Sequence, residues 1–150
     1  MARFTNQAQL RYGNAVANSN IAVGEILEVL AATKLAVRQT YGQNDSVTYI
    51  ISIVNSAAIN GLTITDNLGA YRFNALTLTP LTYIEGTVNY YVNGTAQPTP
   101  AVTPGPPLTV TGINVPAGGN VTVVYEAAVN EYAPIASGAE LTNAAVITGG

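Results

Sequence analysis

Short runs in which apolar and polar residues alternate recur along this chain, separated by turn signals, and that pattern leaves few architectures open. Strands are expected over residues 26–37, 46–55, 62–66, 72–78, 87–92, 108–113, 120–129 and 139–148. Asn60-Gly61 and Asn93-Gly94 are dipeptides that favour positive φ, and Ala117-Gly118-Gly119 offers a third tight reversal. The stretch 96–107 holds five of the eight prolines and reads as a surface loop, because proline cannot donate to a central strand. Eight short strands in 150 residues fit one two-layered all-β domain over 25–150. Residues 1–24 then form an N-terminal arm and connector; the Asn-, Ala- and Ser-rich stretch 13–24 is expected to be flexible.

Composition removes several functional classes. Only 9% of residues are charged and the net charge is −3, with five basic residues scattered between Arg3 and Arg72. Nucleic acid is not an expected partner, since binding phosphate backbones requires a basic patch. Membrane insertion is not expected either, for no apolar run reaches the roughly 18 residues that span a bilayer. The start, MARFTNQAQLRYGN, has no apolar core of a secretory signal. There is no Cys and no His, which excludes disulfides, thiol chemistry and the usual catalytic triads. Eight carboxylates remain, at Glu25, Glu28, Asp45, Asp66, Glu85, Glu126, Glu131 and Glu140, with no spacing that pairs two of them for glycoside hydrolysis. Asp45 beside Asn44 reads as a solvated turn before a calcium ligand, so neither metal nor cofactor is expected, and the chain is not expected to be an enzyme.

The two ends carry the same pattern. Phe4-Thr5-Asn6-Gln7-Ala8-Gln9-Leu10 and Leu141-Thr142-Asn143-Ala144-Ala145-Val146-Ile147 both read apolar, Thr, Asn, any, Ala, any, apolar. In a strand this sets the apolar residues, the Asn and the Ala on one face and the Thr on the other. The N-terminal copy, Phe4, Thr5, Asn6, Ala8 and Leu10, is suited to the slot that the C-terminal copy fills. A connector extending about 3.3 Å per residue could carry it to a neighbouring molecule. Strand donation between copies would build a head-to-tail homopolymer; an arm folded back on its own domain, or a chance match among common residues, are the alternatives.

Residues 33–147 resemble a repeat domain of unknown function from bacterial and archaeal surface proteins, itself similar to the collagen-adhesin type of immunoglobulin-like fold. The resemblance rests on Thr33-Lys34, on VTYIISIVNSAAINGLTITDNLG with Tyr49, Asn55 and Asp66, on VPAGGNVTVVYEAAV and on LTNAAVI. It implies an immunoglobulin-like β-sandwich with no conventional enzymatic activity. Family members usually occur as tandem repeats in anchored proteins, whereas this sequence reads as one domain preceded by what looks like the closing strand of a missing repeat.

The resemblance also implies a chemistry. Adhesin and pilin domains of this type often carry an isopeptide bond between a Lys on the first strand and an Asn on the last, promoted by a buried carboxyl group. The matching residues are Lys34, Asn143 and Asp66, and Lys34 is the sole lysine. A lysine pressed into an apolar sandwich loses hydration, which lowers its pKa and frees a nucleophilic amine. The same residues also admit an ordinary reading: Lys34 with its stem on a sheet surface, Asn143 at an edge, Asp66 opening the turn Asp66-Asn67-Leu68-Gly69. Asn6, equivalent to Asn143, is a candidate partner for a bond between molecules.

The expected role is therefore a structural subunit of a self-assembling filament, extracellular, at a cell or spore surface. The alternative is an adhesive module in which a Tyr-rich face around Tyr83, Tyr90 and Tyr91, with the Pro-rich loop, binds a host protein or glycan. Cross-strand packing is the plainer account of those tyrosines.

Overall fold

A computed structural model describes the backbone of residues 2–12, 15–26 and 30–150, and side chains from Leu30 onward. Among the described residues, fourteen strands follow in chain order: β1 Ala2–Tyr12, β2 Ala15–Ile26, β3 Ala31–Ala36, β4 Ser46–Val54, β5 Ile59–Asp66, β6 Tyr71–Phe73, β7 Leu76–Leu78, β8 Leu81–Tyr83, β9 Asn89–Val92, β10 Thr95–Gln97, β11 Ala101–Thr103, β12 Leu108–Val115, β13 Asn120–Val129 and β14 Ala145–Thr148. One sheet runs β10-β9-β13-β4-β3, with β8 also paired to β13; the other runs β11-β12-β5-β14. The pairings within both sheets are antiparallel. Together they form an immunoglobulin-like β-sandwich, the fold expected from the sequence.

The inward faces follow directly from the period of two. Val47, Tyr49, Ile51 and Ile53 of β4 are buried, as are Val121, Val123, Tyr125, Ala127 and Val129 of β13. From the opposite sheet come Leu62 and Ile64 of β5, Leu108, Val110, Ile113 and Val115 of β12, and Ala145 and Ile147 of β14. The same alternation buries two residues of unusual polarity. Lys34 sits between Ala32 and Ala36 on the core face of β3, and Asp66 follows Leu62 and Ile64 on that of β5. Leu141 and Asn143 continue the buried face of β14 backwards along the chain, with Thr142 exposed between them.

Several elements differ from expectation. The span 26–37 is not one strand: β2 ends at Ile26 and β3 begins at Ala31, while Leu27, Glu28 and Val29 lie outside the described residues. The 13–24 stretch, read as a connector, belongs from Ala15 onward to β2, which pairs with β1 from Ala2↔Ile26 to Tyr12↔Ala15 and runs beside β14 and β3. Residues 72–78 form the hairpin β6–β7, with Asn74 at φ 55°. Asn60-Gly61 lies within β5, where Gly61 has φ 73° and the register with β12 shifts; it is not a turn. Asn93-Gly94 does turn, with φ 49° and 78°, as a two-residue hairpin between β9 and β10 requires. Inside the Pro-rich stretch the short β11 pairs only with β12, an edge position that proline tolerates.

Ile53 is fully buried whereas its neighbour Val54 is 44% exposed. Urea unfolding is expected to show a loss of about 2–5 kcal/mol for Ile53→Ala and less than about 0.5 kcal/mol for Val54→Ala.

Candidate functional site

The three residues singled out by the sequence meet inside the sandwich. β3 is the outermost strand of its sheet and β14 of the other, so their edges lie on the same side of the core with β5 next to β14. Lys34 reaches across from β3, and its Nζ lies 2.6 Å from Asp66 Oδ2 at the end of β5. It also donates to the backbone carbonyl of Asn143 at 3.3 Å. Asn143 Nδ2 faces Asp66 Oδ2 at 3.4 Å. The register places Ala145 opposite Asp66, which sets Asn143 just beyond the carboxylate. Lys34, Asp66 and Asn143 are 3%, 0% and 2% exposed, so Lys34 does not lie on a sheet surface, and Asn143, although it leads into the edge strand β14, is buried. The turn reading of Asp66 does hold, alongside its burial: Asp66 Oδ1 accepts the Leu68 N–H at 2.8 Å.

Two tyrosines complete the cluster. Tyr125 donates its phenol proton to Asp66 Oδ2. Tyr49, opposite Tyr125 on the neighbouring strand, stacks on it with ring centroids 5.5 Å apart and lies under Lys34, whose Nζ is 4.6 Å from the ring centre. The electron-rich ring face offsets part of the lost hydration of the ammonium. Burial nonetheless lowers the Lys34 pKa from its ordinary value, against the attraction of Asp66. Burial, followed by the Asp66 charge, raises the phenols of Tyr49 and Tyr125. The cluster is thus a buried amine whose burial favours its neutral form, a carboxylate in direct contact with it, and a carboxamide beside that carboxylate.

Beyond the carboxylate, the turn after β5 shapes the site. Leu68 and Gly69 both have positive φ, at 53° and 74°. The Gly69 N–H donates to Asn67 Oδ1 at 2.9 Å and to Asn143 Oδ1 at 3.0 Å. Asn67 fastens the chain approaching β14: its N–H donates to the Ala144 carbonyl at 2.9 Å and its Oδ1 accepts the Ala144 N–H at 3.1 Å. Neither Tyr125 nor Gly69 was identified as a site residue from the sequence. The signal for Tyr125 was its place in the apolar alternation of VTVVYEAAV; for Gly69 it was the DNLG turn following a buried Asp.

Other sequence candidates lie elsewhere. Asn55 is buried but apart from the cluster, donating to the Ala57 carbonyl at 2.7 Å while its own backbone carbonyl accepts the Gly118 N–H. Asp45 accepts the Gly42 N–H at 2.7 Å and pairs with Arg38 at 3.0 Å; these partners, the hydrogen bond first, lower its pKa. Tyr83 and Tyr90 are buried, and the Tyr90 hydroxyl donates to the Asn114 carbonyl at 2.9 Å, so the three tyrosines do not form an exposed binding face. The side chains of Phe4, Thr5, Asn6, Ala8 and Leu10 lie outside the described residues, although their backbone belongs to β1.

No protein-family model matches the chain. No curated protein matches it in sequence. Among solved structures, the fold is similar to that of the full-length RrgB pilus protein from Streptococcus pneumoniae, with a TM-score of 0.51 and 12% identity over 86% of this chain and 26% of that one. A second structure of the RrgB pilus backbone from the same organism aligns with a TM-score of 0.49 and 18% identity over 63% of this chain. The chain spans 26% and 23% of the RrgB chains in these two structures, and the likeness to the full-length one is one of fold.

The tyrosine shifts give a pH dependence with a definite sign. A phenol whose folded pKa is raised stabilises the fold fully below its unfolded value of 10.0, and that contribution is lost as pH rises through the folded value. Lys34, if free, acts in the opposite direction below its unfolded value of 10.5 but is common to both chains compared. Urea unfolding at pH steps either side of 10.0 is expected to show a steeper alkaline loss of stability for the wild type than for Tyr125→Phe.

Proposed function

We propose that the chain is a structural subunit of an extracellular filament at a cell surface, and that its sandwich is clasped by an amide between Lys34 Nζ and Asn143 Cγ. The observation that carries this reading is the convergence of the sole lysine, a carboxylate and an asparagine, drawn from β3, from β5 and from the chain entering β14, in one buried cluster. A buried ion pair is a poor source of net stability, since its desolvation offsets most of its attraction. A reaction gives the three residues a reason to be there.

The chemistry balances within the cluster. Lys34 passes one ammonium proton to Asp66 across the 2.6 Å contact, and the freed lone pair forms the Nζ–Cγ bond while the carbonyl π pair moves to Asn143 Oδ1. Asp66 then gives its proton to Nδ2 and takes a second one from Nζ. As the carbonyl re-forms, the Cγ–Nδ2 bond breaks and ammonia leaves. Lysine nitrogen has lost two protons: one departs in the ammonia and one stays on Asp66. The bond joins positions 109 residues apart, and the loop-closure argument used for disulfides gives about 4–5 kcal/mol of stabilisation.

Assembly is assigned to the N-terminal strand. The Leu141–Ile147 pattern runs into β14, an edge strand that begins at Ala145, and the pattern recurs at Phe4–Leu10 within the extended β1. An arm that carries the closing-strand pattern and can be exchanged between copies satisfies the edge N–H and C=O groups of a neighbour, and repetition makes a filament. The fold similarity to pilus proteins is consistent with this use. The adhesive alternative loses its main support with the burial of Tyr83 and Tyr90.

Electron microscopy of the purified full chain is expected to show filaments. Deleting residues 1–14 is expected to leave a folded β-sandwich that sediments as a monomer; dispersed monomers from the intact chain would count against assembly through the arm.

A further inference from the structure

We infer that the backbone N–H of Gly69 is the oxyanion-binding donor for amide transfer at Asn143, an inference that rests on the Lys34–Asn143 reading above. The Gly69 N–H lies 3.0 Å from Asn143 Oδ1, in buried surroundings. That contact orients the carboxamide: its oxygen faces an N–H, and its nitrogen is turned to Asp66 Oδ2 at 3.4 Å. The two ends of the amide therefore each meet the group that the reaction needs. Negative charge collects on Oδ1 as Nζ adds to Cγ, and it collects against a fixed donor. The departing nitrogen faces the carboxyl group that delivers its proton.

The donor is set in place before any reaction. Gly69 stands at φ 74°, where side chains are strained, and a Cβ added there would lie 2.9 Å from Pro80 Cγ and 3.2 Å from Leu141 Cδ2. The backbone is thus confined by the proline before β8 on one side and by the chain leading to Asn143 on the other. Leu68 N–H to Asp66 Oδ1, at 2.8 Å, ties the same turn to the carboxylate. One short segment, Asp66 to Gly69, supplies both the proton carrier and the donor. The Gly69 proton is shared with Asn67 Oδ1 at 2.9 Å in the present state. Charge developing on Asn143 Oδ1 draws it towards the reacting oxygen, because a charged acceptor outcompetes a neutral one. A donor held in a dry site acts without reorganisation, and removing one such donor slows acyl chemistry by about 10²–10³-fold.

Replacing Gly69 by glycolic acid in a chemically assembled full chain converts the amide to an ester and removes only the N–H. Wild-type and ester chains are kept in denaturant, folded by dilution, checked by circular dichroism, and followed by intact mass for the loss of ammonia. The expected result is that the folded ester chain loses ammonia about 10²–10³-fold more slowly; loss at the wild-type rate overturns the role of Gly69 while leaving the bond itself intact. A wild-type chain that keeps its full mass overturns the bond and this inference with it. If the ester chain does not fold, NMR of the folded wild-type chain decides: a hydrogen-bond coupling between the Gly69 amide nitrogen and the Asn143 side-chain carbonyl carbon supports the assignment, and its absence overturns it.

Discussion

Asp66 Oδ2 is the atom on which the interior of this sandwich turns. It accepts from Lys34 of the first core strand, from Tyr125 of the central strand of the same sheet, and faces the amide of Asn143, while Oδ1 is held by the Leu68 N–H. A fully buried carboxylate is tolerable only when its lone pairs are met in this way. The arrangement constrains more than the charge. It fixes where β3 lies against β5, which inward residue of β13 must be a tyrosine, and how the chain enters β14. Removing one partner would leave a buried charge uncompensated, whereas the proposed amide removes the ammonium altogether and leaves a neutral acid in its place. Under the proposed reading the cluster is costly as an ion pair and less so once the ammonium is gone, in a core otherwise lined mostly by Ile, Val, Leu, Ala and Tyr.

Much of this was legible in the chain, and the reason is the strand period. Residues 120–129 were delimited correctly because apolar residues at 121, 123, 125, 127 and 129 alternate without interruption. Lys34 was singled out through the resemblance, and its burial is explained by Ala32 and Ala36, which flank it at the spacing of one buried face. Local composition misled where long-range pairing decided the outcome. The Asn- and Ser-rich run from Ala15 onward looked like a linker, yet it pairs with β1. Asn60-Gly61 has turn chemistry, but β5 continues through it by a shift in register. Tyr83 and Tyr90 admitted a binding face as the alternative to cross-strand packing, and their burial agrees with packing, the plainer account. Gly69 was not identified because its part depends on Asn143, 74 residues away in sequence.

For the proposed filament subunit the position of the cluster matters, because β3 and β14 are each one of the two outermost strands of their sheets, β10 and β11 being the others. The proposed link between Lys34 and Asn143 would tie β3 to the chain entering β14, so load between them would pass through the bond and spare the ladders of hydrogen bonds between. Hydrogen bonds across a sheet each add only about 0.5–1.5 kcal/mol net, which makes a covalent tie at the edges an effective reinforcement. The closing strand would then have two uses of one pattern, to finish its own sandwich at Leu141–Ile147 and, through Phe4–Leu10, to reach into another.

The mass of the folded full-length chain tests the central claim most directly. The account predicts the sequence mass less one ammonia, with the deficit located by peptide mapping to a branched fragment joining Lys34 and Asn143, and absent from Lys34→Ala. A folded wild-type chain at its full sequence mass would contradict it.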